Sequence, residues 1–178
     1  MQYKEKMIPL EQKTWSEFSI SQLFNVYTGR DIIISKLEKG IYPVVSHTIE
    51  NNGINFFTKN LENRRLFKHD NTISLADRGN FHSFVQPHNF YIGTRVKALE
   101  YTADNLNKDV LMFISQMINK QKVRFSYGFN ATDKVENLKI MLPVTIEGKP
   151  DYDYMKKYIP IQEIKEIYKA LQYLHTSY

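Results

Sequence analysis

The stretch GIYPVVSHTIENNGINFF, residues 40–57, says most about how this chain folds. Residues 41–45 form a short apolar run, and residues 46–52 form a polar turn. After the turn, Gly53 starts a second run in which apolar and polar residues alternate. Two such runs on either side of a polar turn are typical of neighbouring strands. The pattern therefore predicts an exposed loop whose histidine, threonine, glutamate and asparagine side chains can bond a partner.

Similar runs of β-branched and aromatic residues recur along the chain, separated by Gly, Asn, Asp and Pro. Strands are predicted at residues 32–34, 42–45, 55–58, 72–75, 83–86, 90–93 and 95–99. A further pair is predicted at residues 123–127 and 138–144, joined by a polar loop over residues 128–137. Many short strands separated by turn residues predict a loop-rich sheet or partial barrel.

Helical patterns accompany these strands. Ser19, with Gln22 three residues later, forms a capping-box pattern and predicts a short helix that Gly29 ends. Apolar residues at helical spacing predict a longer amphipathic helix over residues 107–120, packed on the sheet. The fold class expected from these patterns is α+β, with one globular domain over residues 14–159 and a lead-in over residues 1–13.

The C-terminal segment, residues 160–178, has a different pattern. Its apolar residues are spaced three and four apart, which predicts a helix with a heptad seam formed by Ile164, Ile167, Leu171, Leu174 and Tyr178. Pro160 suits the first turn of such a helix. Two alternatives stay open: the seam docks on its own domain, or it pairs with a helix of another chain. A coiled coil of only about two to three heptads is marginally stable in isolation.

Composition narrows the class of protein. A length of 178 residues favours one domain, and such a domain buries roughly 70% of the unfolded chain's surface. The net charge of +5 and the pI of about 9.2 fit a nucleic-acid-binding domain and argue against an acidic mimic of DNA. The absence of cysteine excludes disulfides, thiolate zinc sites and cysteine nucleophiles, and it suits the reducing cytoplasm. No signal peptide or membrane-spanning run is visible.

Known catalytic motifs are absent from the sequence. It contains no glycine-rich phosphate loop, no nucleophile elbow and no HExxH zinc motif, and His82 and His88 flank a strand at a spacing common by chance. The carboxylate and lysine pattern of metal-dependent nucleases is matched by Asp151, Glu163 and Lys165. A further hypothesis is therefore an enzyme that nicks DNA in the presence of Mg²⁺. That pattern needs a strand, however, and here it falls on the predicted C-terminal helix. We therefore expect no catalytic residue, metal or cofactor in this chain.

Side chains suited to DNA cluster in four predicted loops. Arg, Asn and Gln can form two hydrogen bonds with a base edge, and Lys and Arg bond phosphates. The candidate DNA-binding residues are His47, Thr48, Asn51, Asn52, Lys59, Arg64, Arg65, Lys68, Arg78, Asn80, Lys122, Arg124, Tyr127, Asn130 and Lys134. Each loop alone also fits an ordinary solvated loop. Together the loops carry few acidic residues, which favours an anionic partner.

Three segments resemble one protein family. They are WSEFSISQLFNVYTG (residues 15–29), KGIYPVVSHTIENNGINFF (residues 39–57) and KVENLKIMLPVTIEGKPDYDYMKKYI (residues 134–159). In order and spacing they are similar to the conserved segments of target recognition domains. These domains belong to the specificity subunits of type I restriction-modification systems and their type II relatives. The resemblance covers about residues 14–159, nearly the whole predicted domain.

The resemblance implies a mixed α/β domain that reads one half of a bipartite site in double-stranded DNA. It implies a spacer helix after the domain and, as partner, an adenine-N6 methyltransferase subunit, sometimes with a restriction subunit. S-adenosylmethionine and Mg²⁺ are then expected only in the partners. Family members carry two such domains and two spacer helices, whereas this chain has one of each. This difference fits a half-sized subunit, a lone domain or a fragment. It also fits a homodimer that forms through the C-terminal helix.

A second interpretation assigns the chain to a different functional class. The chain would then be a protein-interaction module that docks on a methyltransferase, regulates it and binds DNA poorly. An exposed heptad face and weak retention of duplex DNA would favour this alternative over sequence-specific DNA recognition.

Overall fold

The computed structural model describes residues 7–102, 106–125, 131–132 and 134–176. Three of the predicted binding or helix-seam residues, Tyr127, Asn130 and Tyr178, lie outside these ranges. The strands are β1 (Trp15–Ser19), β2 (Phe24–Thr28), β3 (Lys39–Val45), β4 (Ile54–Thr58), β5 (Thr72–Ala76), β6 (His82–Val85), β7 (Tyr91–Ile92), β8 (Val96–Tyr101) and β9 (Lys139–Pro143). The α-helices are α1 (Ile20–Leu23), α2 (Lys108–Asn119) and α3 (Tyr152–Thr176), and 3₁₀ helices span Leu10–Gln12, Ile34–Lys36, Glu50–Gly53 and Lys120–Phe125.

Within the described ranges the strands form three open sheets. The central sheet has the order β2-β8-β5-β6, and each neighbouring pair is antiparallel. A second sheet has the order β4-β3-β7, in which β3 is antiparallel to β4 and parallel to β7. β1 and β9 form a separate antiparallel pair. The prediction of a mixed helix and sheet domain with short strands and many loops is confirmed, and the described strands do not close a barrel.

Both faces of the central sheet are covered, because successive side chains of a strand point to opposite faces. Ile73 and Leu99 pack into a large core with residues of α2, β9 and the start of α3. Ala98, next to Leu99 on β8, packs on the other face with Val45 and Ile92 of the second sheet. The central sheet is therefore a middle layer, and a partner reaches it mainly through the turns at its strand ends.

Helix α2 agrees with the prediction and packs against the central sheet. Asn107 caps it, since its Oδ1 accepts a hydrogen bond from Asp109 N at 2.7 Å. Polar contacts join α2 to β6: the Ser83 and Ser115 hydroxyl oxygens lie 2.8 Å apart, and Asn119 Oδ1 accepts from Ser83 N at 2.7 Å. These contacts fix β6, which is an edge strand of the central sheet.

Helix α3 begins earlier than the sequence pattern predicted. Pro160 was expected in the first turn, but the helix starts at Tyr152 and Pro160 lies inside it. The earlier start has a physical cause, because Asp151 Oδ1 accepts a hydrogen bond from Tyr154 N at 3.0 Å and so caps the helix. The position of the domain boundary itself stays a prediction.

The two halves of α3 have different surroundings. Tyr154, Met155 and Ile159 in the first half are buried. The side chains of the predicted seam that are described are between 50% and 66% exposed: Ile164, Ile167, Leu171 and Leu174. The described part of the seam therefore does not dock on its own domain, which leaves pairing with another chain as the open alternative. Among the described residues, no helix combines the length and the hydropathy that a membrane-spanning segment requires.

Besides the start of α3, three strand or helix predictions are wrong. The segment predicted as a strand at residues 32–34 leads into the 3₁₀ helix Ile34–Lys36, and the strand predicted from residue 123 is replaced by the 3₁₀ helix Lys120–Phe125. The side chains of Ile33 and Val123 are 56% and 84% exposed. β-branched residues favour strands mainly where the pleated surface they lie on is packed against neighbours, and these two side chains are largely exposed. The first helix ends at Leu23 rather than near Gly29, because the chain continues as β2 and pairs with β8.

Candidate nucleic-acid interface

Several turns meet at one end of the central sheet. β5 ends and β6 begins there, since Ala76 pairs with His82, and β8 begins beside them, since Ala76 also pairs with Val96. β2 ends at the same place, because Thr28 pairs with Lys97. We call this end, with residues 28–30, 77–80 and 94–95, the turn end. The turns lie close together because antiparallel pairing alternates the strand directions across the sheet.

Backbone hydrogen bonds tie these turns to one another. Asp77 N donates to Arg95 O at 3.2 Å, and Gly29 N donates to Val96 O at 2.8 Å. Ala131 N donates to Asp77 O at 3.1 Å, which adds the segment before β9 to the same end. Residues far apart in sequence therefore lie on one continuous surface.

Arginine and lysine side chains are concentrated on this surface. Arg30, Arg78, Arg95 and Lys134 are exposed, and within the described ranges only Arg78 has a side-chain bond, to the Thr132 hydroxyl at 3.3 Å. Lys122 and Arg124 flank the same end. We call the six residues the basic edge: Arg30, Arg78, Arg95, Lys122, Arg124 and Lys134.

Two observations place Lys122 and Arg124 beside the turn end. The ring of Phe125 stacks on Phe81 with centroids 4.6 Å apart, and Phe81 follows the turn between β5 and β6. His82 is the next residue, and its pKa is lowered by burial and, secondarily, by the positive charge of Lys122. Asn80, another predicted residue, is exposed in the same turn.

A buried ion pair lies beneath the basic edge. Lys97 Nζ is 3.7 Å from Asp77 Oδ2, and the two side chains are 8% and 2% exposed. Lys97 also donates to the Thr28 hydroxyl at 2.8 Å. The Asp77 carboxylate is therefore balanced internally and presents little negative charge to an anionic partner. The same contacts connect the end of β2 to the turn that follows β5.

Residues 59–69 contain four of the predicted DNA-binding residues, and the structure gives these residues different surroundings. Lys59 donates to Glu38 at 2.7 Å, and this ion pair raises the pKa of Lys59 and lowers that of Glu38. Arg65 Nη2 contacts both Glu100 carboxylate oxygens at 2.7 Å. Both cations are thus engaged within the protein. Lys68 is exposed and has no hydrogen bond or ion pair with any described residue.

Aromatic rings hold Arg65 in place as well. Its guanidinium lies 4.2 Å from the ring centroid of Tyr27 and 5.2 Å from that of Phe67. Burial opposes the charge of Arg65, but the contacts with Tyr27 and Glu100 outweigh it and raise its pKa. Its neighbour Arg64 donates to Asp31 O at 2.6 Å and lines, with Arg30, a cleft of about 490 Å³ beside β2.

The polar turn after β3 has an unusual backbone. Asn51 and Asn52 have φ values of 49° and 55°, in the left-handed region that asparagine tolerates, and Gly53 follows with φ of 80°. Asn52 O accepts a hydrogen bond from Gln86 Nε2 at 2.8 Å, which holds this turn next to the end of β6.

The side chains of this turn are less constrained than its backbone. Thr48 Oγ1 accepts from Glu50 N at 3.3 Å, and His47 is exposed. Asn52 lines a cavity of about 360 Å³ together with His82 of β6. The turn therefore adjoins β6, the edge strand that begins at the turn end.

Two cations of the basic edge were not among the predicted site residues. Arg30 follows Gly29 directly, and Arg95 falls at the start of the strand predicted at residues 95–99. A signal was present in the sequence, since each arginine lies within two residues of a glycine between predicted elements: Gly29-Arg30 and Gly93-Thr94-Arg95. Which turns meet depends on strand order, which the sequence pattern did not reveal.

The nuclease-like pattern does not form a site. Asp151 is engaged by Lys13 at 2.6 Å and by Tyr154 N, whereas Glu163 and Lys165 lie in the exposed half of α3. Twelve residues along a helix correspond to roughly 18 Å, which is too far for Asp151 and Glu163 to share one metal ion. Among the described residues no group of His, Asp and Glu side chains could hold a metal ion.

The sequence matches the family model of the type I restriction modification DNA specificity domain over residues 12–173. The S.BcgI specificity subunit of the type II restriction enzyme BgcI, from Heyndrickxia coagulans, is 30% identical over 161 residues. That match covers 89% of this chain and 46% of the subunit, so the chain spans about half the length of this curated relative.

Solved structures of specificity subunits share the fold. The HsdS subunit from Thermoanaerobacter tengcongensis has a TM-score of 0.60 and 13% identity, covering 97% of this chain and 42% of that chain. The S subunit of the type I restriction-modification system from M. genitalium has a TM-score of 0.57 and 18% identity. The match covers 79% of this chain and 37% of that subunit. A chain from a structural study of complex assembly and conformational transition of the type I restriction-modification system has a TM-score of 0.61 and 15% identity. The match covers 98% of this chain and 44% of that chain.

The family match spans nearly the whole chain, and the three segments at residues 15–29, 39–57 and 134–159 all fall within it. The resemblance inferred from these segments is thereby confirmed. The chain belongs to the family of type I restriction modification DNA specificity domains.

Proposed function

We propose that this chain recognises a specific sequence in double-stranded DNA and carries no catalysis of its own. The basic edge is the observation that carries this proposal. Six cations lie around one end of the central sheet, and among the described residues none of them is held in an ion pair. The acidic residue beneath them, Asp77, is buried and paired with Lys97. Unpaired cations on neighbouring turns suit the phosphates and base edges of a duplex.

The proposed division of labour follows from side-chain chemistry. Arg78 and Asn80, at the tip of the turn between β5 and β6, can each form two hydrogen bonds with one base and so carry sequence preference. Lys68 is a point charge without the fork geometry of arginine, and it suits a phosphate. Arg65 and Lys59 are held by Glu100 and Glu38, so they shape the surface and contribute less to binding.

The partners of the chain follow from its family. We propose a methyltransferase subunit as its main partner, with a restriction subunit in systems that cleave. S-adenosylmethionine and Mg²⁺ would bind to those subunits and not to this chain. The exposed seam of α3 is the surface available to a helix of a partner or of a second copy. A dimer with two-fold symmetry would read two half-sites separated by a spacer.

The first experiment presents the purified chain with a pool of random duplexes near physiological salt, followed by sequencing of the retained DNA. Non-specific binding weakens steeply with salt, so an enriched motif at this salt reports base recognition. A split palindrome would indicate a dimer, and a single short motif would indicate a monomer. Absence of any enriched motif would contradict recognition by the chain alone and favour the protein-interaction module, for which the exposed seam is the supporting observation.

Two substitutions test the division of labour. Arg78→Ala is expected to change the enriched motif at one position, because it removes a candidate base contact. Lys68→Ala is expected to leave the motif unchanged and to weaken binding to all sequences. The slope of the logarithm of the binding constant against the logarithm of salt concentration should become smaller by about one. Equal weakening of all sequences by both substitutions would contradict the assignment.

A further inference from the structure

Arg95 has a backbone conformation that its side chain does not favour. It lies in the tight turn between β7 and β8 with a φ of 63°. In the described ranges the other residues with positive φ are asparagines and glycines: Asn51, Asn52, Gly53, Gly79 and Gly148. A long side chain in the left-handed region is strained, and such strain persists only where the surrounding structure imposes it.

The neighbours of Arg95 impose this conformation. Before it, Gly93 N donates to Val45 O at 2.9 Å, and the Thr94 hydroxyl donates to the Asp31 carboxylate. After it, Val96 O accepts from Gly29 N.

Close packing and one more bond complete the restraint. The Arg95 carbonyl itself accepts from Asp77 N at 3.2 Å. A Cβ atom on Gly29 would lie 2.0 Å from Gly93 O, so the two backbones are in direct contact at this point. The turn is therefore tied to β2, β3 and β5 and has little freedom to relax.

The side chain of Arg95, in contrast, is exposed and forms no hydrogen bond or ion pair with any described residue. The bond from Asp77 N places it beside the turn that carries Arg78. A rigid backbone thus presents two guanidinium groups from adjacent turns. An arginine on a fixed backbone loses less backbone entropy when it binds than one on a flexible loop.

We propose that Arg95 is a specificity-determining residue that reads a guanine in the same groove as Arg78. Arginine forms two hydrogen bonds with the O6 and N7 atoms of guanine in the major groove. The buried Lys97–Asp77 pair acts as a positioning contact, because it lies under both turns and joins them to Thr28. This inference rests on the proposed function, which assigned sequence preference to Arg78 and Asn80.

The test repeats the random-duplex selection with Arg95→Gly and Arg95→Lys. Glycine accepts a φ of 63°, so Arg95→Gly removes the guanidinium and relieves strain, and its thermal midpoint should not fall below that of the wild type. The enriched motif should lose its guanine preference at one position, and affinity for the best site should fall by about ten- to a hundredfold, the range of one bidentate contact. Arg95→Lys keeps the charge and should lose the same preference.

A matched control removes a positive charge elsewhere. Lys149 is 77% exposed, pairs with Glu147 in the turn after β9 and belongs neither to the turn end nor to the basic edge. Lys149→Ala should keep both the motif and the affinity. A wild-type motif that Arg95→Gly leaves unchanged would overturn the role of Arg95 and leave the proposed function standing. Uniform weakening of all sequences by Arg95→Gly would also overturn it, and a wild type without any motif would overturn both.

Discussion

At the scale of single residues, Asp151 joins the N-terminal segment to the start of α3. Its carboxylate binds Lys13 Nζ at 2.6 Å and accepts from Tyr154 N at 3.0 Å. Burial alone would raise the pKa of Asp151, but these two hydrogen bonds outweigh it, and the pKa lies below its usual value of 3.8. The charged carboxylate is therefore favoured in the folded state.

Replacement of Asp151 should accordingly be destabilising and pH-dependent. Asp151→Ala removes the cap and the ion pair and should cost about 1–2 kcal/mol at neutral pH. A lowered folded pKa gives stability that is present above the unfolded pKa and is lost as pH falls through the folded one. The difference between wild type and variant should thus shrink below about pH 4.

Urea unfolding at several pH values measures this difference. Asp153→Ala is the control, since Asp153 is exposed, lies in the first turn of the same helix and has no side-chain bond to a described residue. Its effect should stay within about 0.5 kcal/mol. A difference between Asp151→Ala and wild type that does not change with pH would speak against the charged pair as its cause.

At the scale of elements, α3 combines a buried half with an exposed apolar half. Ile167 and Leu171 lie one turn apart in the seam and are 60% and 50% exposed. If two copies pair through this seam, Ile167→Asp with Leu171→Asp should abolish self-association, because each carboxylate would be buried against an apolar partner. Sedimentation at rising protein concentration, with and without duplex DNA, measures this.

The matched variant for that experiment changes a polar residue of the same helix. Lys165 is exposed and lies outside the seam, so Lys165→Ala should leave self-association unchanged. A wild type that stays monomeric at every concentration, even with DNA present, would exclude the homodimer and leave the seam to a partner subunit.

At the scale of the whole molecule, two cores share the central sheet. Trp15, the single tryptophan of the chain, stacks on Phe113 in the core that contains α2. Ile92 lies in the other core, with Val96 and Ala98 of the central sheet. Because one sheet contributes to both cores, we expect them to unfold together, as single domains usually do.

Ile92→Ala should therefore change a signal from the opposite core. The substitution should lower stability by about 2–5 kcal/mol and shift the urea midpoint reported by Trp15 fluorescence. Ile146→Ala, at a fully exposed isoleucine, should leave the midpoint unchanged. A Trp15 transition unaffected by Ile92→Ala, with circular dichroism showing an earlier separate transition, would mean that the cores unfold independently.

Patterns in the amino-acid sequence were sufficient to predict the family, most of the strands and helix α2. Strand runs such as residues 42–45 and the helical stripe around Val110 and Ile114 are local patterns, and local patterns report local structure. The basic composition and the arginine, asparagine and lysine residues of the loops were equally visible.

Which of those residues lie side by side, in contrast, follows from the three-dimensional fold. Strand order brings Arg30, Arg78 and Arg95 to one end of the central sheet, although they are far apart in the chain. It also engages Arg65 with Glu100 and buries Asp77 against Lys97. These outcomes depend on long-range pairing and burial. A residue's neighbours in sequence do not fix either, because the same exposed or strand-like pattern is compatible with many partners.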